Sequence, residues 1–287
     1  MTLILYAIPF FLITVFAESW VLARDKARRF RGVKPKDSLA SISMGLGYLL
    51  IELALKVLPF GLLALLYPLR IFDLRAVWWS WVLLFIAEDF CYYWFHRTHH
   101  EVRMLWAAHI NHHSSTYYNL STALRQSWTT SFTGAIFWAP LPLLGFPLEM
   151  IAVQKAISLL YQYWLHTELI GKMGPFEWVF NTPSHHRVHH GRNPLYLDRN
   201  YGGILIVWDR LFGSFEPERE SVDYGITKNI DTYNLVRIAY HEWLQMFRDV
   251  LSARTWRGRI GYMLRAPGWN EEGTGMTAER QRAEAGY

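Results

Sequence analysis

Residues 181–193 read NTPSHHRVHHGRN, with histidine at four of the six positions from His185 to His190. Read as a helix, the stretch places His186, His189 and His190 at i, i+3 and i+4, so they share one face. Three ring nitrogens then converge. The stretch HRTHHEVRMLWAAHINHHSS, residues 96–115, repeats the HxxHH spacing at His109, His112 and His113 and adds an HxxxH step from His96 to His100. Eleven of the twelve histidines lie between residues 96 and 190. A pH sensor needs histidines but no repeated register, whereas a metal needs lone pairs brought together from several helices. The pattern therefore predicts a metal site. His241 stands far from the clusters and is read as ordinary.

Hydrophobic residues make up 52% of the 287 positions and aromatics 16%, with 14 tryptophans; so much aromatic surface suits a protein embedded in lipid, where Trp and Tyr gather at the interface. The lone Cys91 excludes an internal disulfide and reads as a small apolar filler on a helix. The net charge of +5 does not indicate nucleic acid, because Arg24, Lys26, Arg28, Arg29, Arg31, Lys34 and Lys36 form one block after an apolar stretch. That is where a cytoplasmic loop facing anionic lipid belongs.

Four apolar regions are legible. Residues 2–23 meet the length of about 20 that a spanning helix needs, and no basic region precedes Leu3 as a cleaved signal would require. Residues 39–69 are interrupted by Pro59 and hold Glu52 and Lys56 at i, i+4, a spacing that allows them to pair. Residues 76–95 end directly at His96. Residues 132–165 are broken by Pro140, Pro142, Gly145 and Pro147.

If residues 24–37 are cytoplasmic, the second region leaves that side and the third returns, delivering His96 to it. Ligands of one site share a side, so residues 132–165 must double back as a helical hairpin. After His190 the chain turns soluble in character: residues 201–215 suit a short strand and turn or a helix, and residues 234–251 an amphipathic helix. The polar tail from Ala266 reads as mobile.

At this level the chain resembles the fatty acid hydroxylase superfamily of integral-membrane di-metal oxygenases, and within it the ether-lipid-cleaving branch. The resemblance rests on the histidine motifs and on NHHSSTYYNLSTALRQS (111–127), YQYWLHTELIGKMGPFEWVFNTPSHHRVHHGRN (161–193) and NYGGILIVWDRLFGSFEPE (200–218). It implies an all-α, integral-membrane helical bundle with a histidine-rich di-metal domain on the cytoplasmic face. Three parts are expected: transmembrane helices and the basic loop (1–75), the catalytic core (76–218), and a cytoplasmic helix and tail (219–287).

The resemblance implies two iron ions held by His96, His100, His109, His112, His113, His166, His185, His186, His189 and His190. His99 falls where the family has a residue that does not ligate. Zinc would also bind imidazoles but lacks the redox step that oxygen activation needs. Glu101 is read as the catalytic carboxylate, able to orient a ligand ring by accepting its second N–H, and Glu168 as a further candidate. Asp89, two helical turns before His96 in an apolar segment, requires a partner. No flavin, haem or nicotinamide motif is present, so an external electron donor is expected, which the resemblance implies to be tetrahydrobiopterin. The implied reaction uses molecular oxygen to hydroxylate the ether-linked carbon of an alkylglycerol drawn from the membrane, releasing a fatty aldehyde. The alternatives are hydroxylation or desaturation of another lipid (an ornithine lipid, a ceramide-like or a sterol-like substrate) and, outside enzymes, a membrane metal carrier.

Overall fold

The computed structural model describes residues 2–26, 30–55 and 57–287. Arg28 and Arg29 of the basic block and Lys56 of the expected Glu52–Lys56 pair lie outside the described residues. Among the described residues the fold is all-helical, with no strand beyond the isolated bridges Phe180–Leu205 and Gly191–Tyr224. In chain order the helices are α1 (Thr2–Leu22), α2 (Pro35–Leu55), α3 (Val57–Leu66), α4 (Trp78–Glu101), α5 (Arg103–Trp106), α6 (Ile110–His113), α7 (Thr130–Gly134) and α8 (Pro140–Leu144). They continue with α9 (Leu148–Tyr163), α10 (Pro183–His189), α11 (Val207–Leu211), α12 (Leu235–Ser252), α13 (Trp256–Leu264) and α14 (Ala278–Glu284).

Two helical windows, Leu5–Leu22 and Pro35–Leu55, are long and apolar enough to cross a membrane. α1 leaves Tyr6, Phe10, Ile13, Phe16 and Trp20 exposed. Its inner side meets α9, where Phe11 stacks on Tyr163 at 4.1 Å and the Thr14 and Tyr163 hydroxyls bond at 2.7 Å. α4 is the central rod. Its 24 residues continue unbroken from the apolar segment through the first histidine cluster, so packing along the rod sets the direction of the rings at its end. The core around it joins Leu84, Cys91 and Phe95 to Leu63, Trp138, Leu141, Phe146, Met150 and Ile151.

Residues 132–165 double back. At the outgoing end, the Thr130 hydroxyl donates to the Ala108 carbonyl; at the returning end, His166 meets His112. Both ends therefore lie beside the histidines. The reversal is made at Gly145, whose φ of +106° belongs to the left-handed region. A side chain there would also run into the backbone of Phe72.

Two buried arginines, each paired with carboxylates, attach the amino-terminal helices and α12 to this body. Arg125 is 1% exposed and donates to Asp37 of α2 at 2.8 Å and to the hydroxyls of Ser41 and Ser114, while Ser115 donates to the other Asp37 oxygen. Arg103 donates to Glu242 and Asp249 of α12 at 2.8 and 2.6 Å. The tail differs from expectation. Thr277 caps α14, and Arg282 donates to the Leu197 carbonyl at 2.6 Å, so the polar segment is docked by hydrogen bonds that its composition conceals. Residues 201–215 combine an extended bridge at Leu205 with α11, uniting features of both readings.

Removing one partner of a buried pair strands the other charge. Arg125→Ala is expected to lower stability by about 3–5 kcal/mol, measured by chemical unfolding in detergent, whereas Arg254→Ala, which removes an exposed pair with Glu272, changes it by less than about 1 kcal/mol.

Candidate metal centre

Four segments supply the histidines. The last turns of α4 present His96 and His100 on one face. His109 stands at the N-cap of α6, and His112 and His113 lie within it. His166 follows α9. α10 starts with Pro183 in its first turn, a place where the missing N–H costs nothing, carries His186 and His189, and ends on His190.

Their nitrogens gather into two groups, each with its atoms within 4.8 Å of one another: His96, His100, His109, His113 and His189 in one, His112, His166, His186 and His190 in the other. The HxxHH motif explains the division. Successive residues on a helix diverge by about 100°, so each adjacent pair sends one ring to each group. The planes of His112 and His113 differ by 88°, and those of His189 and His190 by 85°. The groups meet where His113 stacks on His190 at 4.3 Å.

All nine rings are buried, and burial holds them neutral: His96 is pushed down to about 3, His112 to about 4, and the other seven well below the usual histidine range. Carbonyls fix several tautomers. Nδ1 of His96 donates to Tyr201 O at 2.8 Å, that of His166 to Gln162 O at 2.9 Å, that of His189 to Arg199 O at 3.0 Å and that of His112 to Arg125 O at 3.3 Å. A carbonyl only accepts, so each of these rings carries its proton on Nδ1 and a lone pair on Nε2. Yet Nε2 of His112 and Nε2 of His166 face each other at 3.1 Å. Two lone pairs that close repel unless a cation lies between them. Nε2 of His100, His189 and His190 is likewise buried without a partner. Neutral rings with inward lone pairs and outward N–H groups suit a metal ion.

Other expected residues stand elsewhere. His185 belongs to neither group; its Nε2 is 4.0 Å from Glu177 and its ring packs edge-on to Phe215. Glu101 also lies outside both, paired with Arg97 at 2.9 Å and 41% exposed. Glu168 accepts from the Arg31 backbone at 2.8 Å. His99 turns away, its Nδ1 donating to Phe95 O at 2.7 Å and its Nε2 accepting from the Thr133 hydroxyl at 2.9 Å. His241 is remote from the groups.

One role escaped the sequence reading, that of the histidine-free loop 198–205, whose backbone receives the Nδ1–H of His96 and His189. Asp209 accepts from the amides of Tyr201 and Gly202, each at 2.7 Å, and Asp89 from those of Ile204 and Leu205 at 2.7 and 3.1 Å and from the Trp208 indole at 2.9 Å. Asp89 thus has the partners its position demanded. Asp209 lies in the stretch 200–218 that carries the family resemblance, but its spacing gave no sign of this role. Only a carboxylate within an otherwise apolar stretch could have drawn attention to it.

Residues 81–214, which contain all nine grouped histidines, match the fatty acid hydroxylase family model. Alkylglycerol monooxygenase of Homo sapiens is 41% identical over 270 residues, 92% of this chain and 59% of that protein. The Danio rerio alkylglycerol monooxygenase is 46% identical over 244 residues, 83% of this chain and 53% of that one. An ornithine lipid hydroxylase of Rhizobium tropici is 33% identical over 161 residues, 55% and 49% respectively. The chain spans about half the length of the curated relatives it matches. No solved structure matches it.

The division of the rings is testable by metal uptake. His113→Ala and His186→Ala, one from each group, are each expected to lower the iron or zinc retained by purified protein, while His185→Gln and His241→Ala leave it unchanged, as read by elemental analysis.

Proposed function

We propose that the chain is an integral-membrane lipid monooxygenase that holds two iron ions in its two histidine groups and acts on the ether-linked carbon of alkylglycerols. The observation that carries this reading is the pair of buried neutral histidine groups within a segment that matches the fatty acid hydroxylase family model. The alkylglycerol monooxygenases, matched over most of this chain, support the substrate. His185 drops out of the proposed ligand set because it stands outside both groups, and Glu101, paired with Arg97, is not retained as the carboxylate that orients a ligand ring.

Bound iron would supply the redox step that activates oxygen, which zinc in the same ligands could not. The chain's own residues do the rest. Carbonyls of Gln162, Arg199 and Tyr201 hold the ring protons outward and so keep Nε2 free to ligate. Burial of the rings excludes water from the reacting centre. Overall, the substrate CH2 beside the ether oxygen, O2, two electrons and two protons give a hemiacetal and water, and the hemiacetal collapses to a fatty aldehyde and a glycerol. The electrons come from an external donor, for which we propose tetrahydrobiopterin.

The apolar exterior of α1 and α2 supports membrane insertion. We place the histidine groups and the basic block on the cytoplasmic side and retain the division into residues 1–75, 76–218 and 219–287. A second reading, hydroxylation of an amino-acid-headed lipid, is favoured by the ornithine lipid hydroxylase relative. Metal carriage fits less well, because the histidines form two closed groups rather than a path along the helices.

Iron-reconstituted protein with tetrahydrobiopterin is expected to release fatty aldehyde from an alkylglycerol only when oxygen is present; turnover of an ornithine lipid with none of an alkylglycerol would favour the second reading. Topology has a separate readout. Cysteines placed at exposed Lys36 and Arg219 should both be shielded from an impermeant thiol reagent in intact cells, and the buried Cys91 keeps the background low.

A further inference from the structure

Nine rings form the two groups, yet their outward nitrogens are not treated alike. Four Nδ1 atoms donate to main-chain carbonyls. His100 is different: its Nδ1 faces the Asp198 carboxylate at 3.7 Å, the only approach of a carboxylate to within 4 Å of a grouped ring among the described residues. That spacing is an electrostatic contact rather than a made hydrogen bond. On the other side of the ring, Nε2 is buried without a partner and belongs to the five-histidine group. The four-histidine group has no such carboxylate, and Nδ1 of its His186 is buried without a partner.

Asp198 is built into place. Its φ of 54° and the 57° of Asn200 lie in the left-handed region, which Asp and Asn enter more readily than other side-chain-bearing residues. The Asn200 amide donates to His185 O and Glu216 O and accepts from Glu216 N, fixing one side of the loop. Arg282 of α14 secures the other side at Leu197 O. Asp198 is therefore held against His100 by residues on both flanks, at a cost in backbone conformation that a plain surface aspartate would not need.

We infer that Asp198 is a positioning residue whose carboxylate serves His100 and makes the five-histidine group the tighter of the two metal sites. A carboxylate facing a ligand imidazole favours positive charge on the ring and so raises its basicity more than a neutral carbonyl does. The inference rests on the reading that the two groups each hold a metal ion. It concerns their inequivalence, which nothing about the lipid or the electron donor determines.

The test is a zinc titration of the purified full-length chain against a chromophoric chelator, because zinc uptake requires neither oxygen nor an electron donor. Wild type is expected to bind in two steps. Asp198→Asn, which keeps tolerance of the left-handed backbone, should weaken the tighter step about 10- to 100-fold and leave the other in place. In a His100→Ala background the same substitution should add no further loss, since a residue acting only through His100 has nothing left to act on. Equal weakening of both steps, no weakening, or a further loss without His100 overturns the role of Asp198. Should Asp198→Asn fail to fold, the cobalt spectrum of Asp198→Glu decides: a change at one of two bound ions supports the inference, and an unchanged spectrum overturns it. Wild type that binds no metal overturns the reading of the site and this inference together; two normal ions with an unresponsive Asp198→Asn overturn the inference alone.

Discussion

Nine uncharged imidazoles share one buried space, and the chain must keep their lone pairs pointing inward without water to help. Each ring has one nitrogen to give to the centre and one to anchor elsewhere. The anchors lie at every range along the chain: Gln162, one turn back, for His166, residues 199 and 125 in the following loops for His189 and His112, and the distant residue 201 for His96. The site therefore ties the fold together as much as the fold positions the site. Arg125 illustrates this, since its carbonyl receives a ring proton while its guanidinium grips Asp37 at the start of α2. One residue connects the amino-terminal helices to the four-histidine group.

The carboxylates work one layer further out. Asp89 and Asp209 bind backbone amides rather than rings, and between them they hold the loop whose carbonyl and carboxylate oxygens face the five-histidine group. Soluble di-iron bundles place carboxylates on the metals themselves. Here the grouped side chains are all neutral, so positive charge brought in by metal ions would have to be balanced from the surrounding layer, where Asp198 stands nearest among the described residues.

Much of this was legible in the sequence because histidine spacing and apolar length are local properties. The repeated HxxHH register specified which rings could converge, and a run ending at His96 implied a rod delivering them to one end. The doubling back near Gly145 followed from requiring His166 to lie on the same side as His113. What could not be read depends on contacts distant in sequence. Nothing in RNYGG announces that its backbone will receive the protons of His96 and His189, and although the HxxHH register favours His186 over its neighbour, only the turn of α10 shows His185 directed toward Phe215. Glu101 was favoured for its adjacency to His100, but a helix turns a neighbouring residue about 100° away, here toward Arg97. The tail looked mobile because its composition is polar, whereas a few directed hydrogen bonds dock it.

The splitting of each histidine pair between two groups bears on how such a chain can vary over time. Substitution at outward positions of α6 or α10 leaves the rings where they are. Insertion or deletion of one residue in either helix would rotate every later ring by about 100° and so turn one ring of each adjacent pair away from the centre. Length in these helices is therefore under a constraint separate from composition. Drift in length is tolerable instead where no ring depends on the count, as in the stretch between Tyr224 and Leu235 that connects the centre to α12.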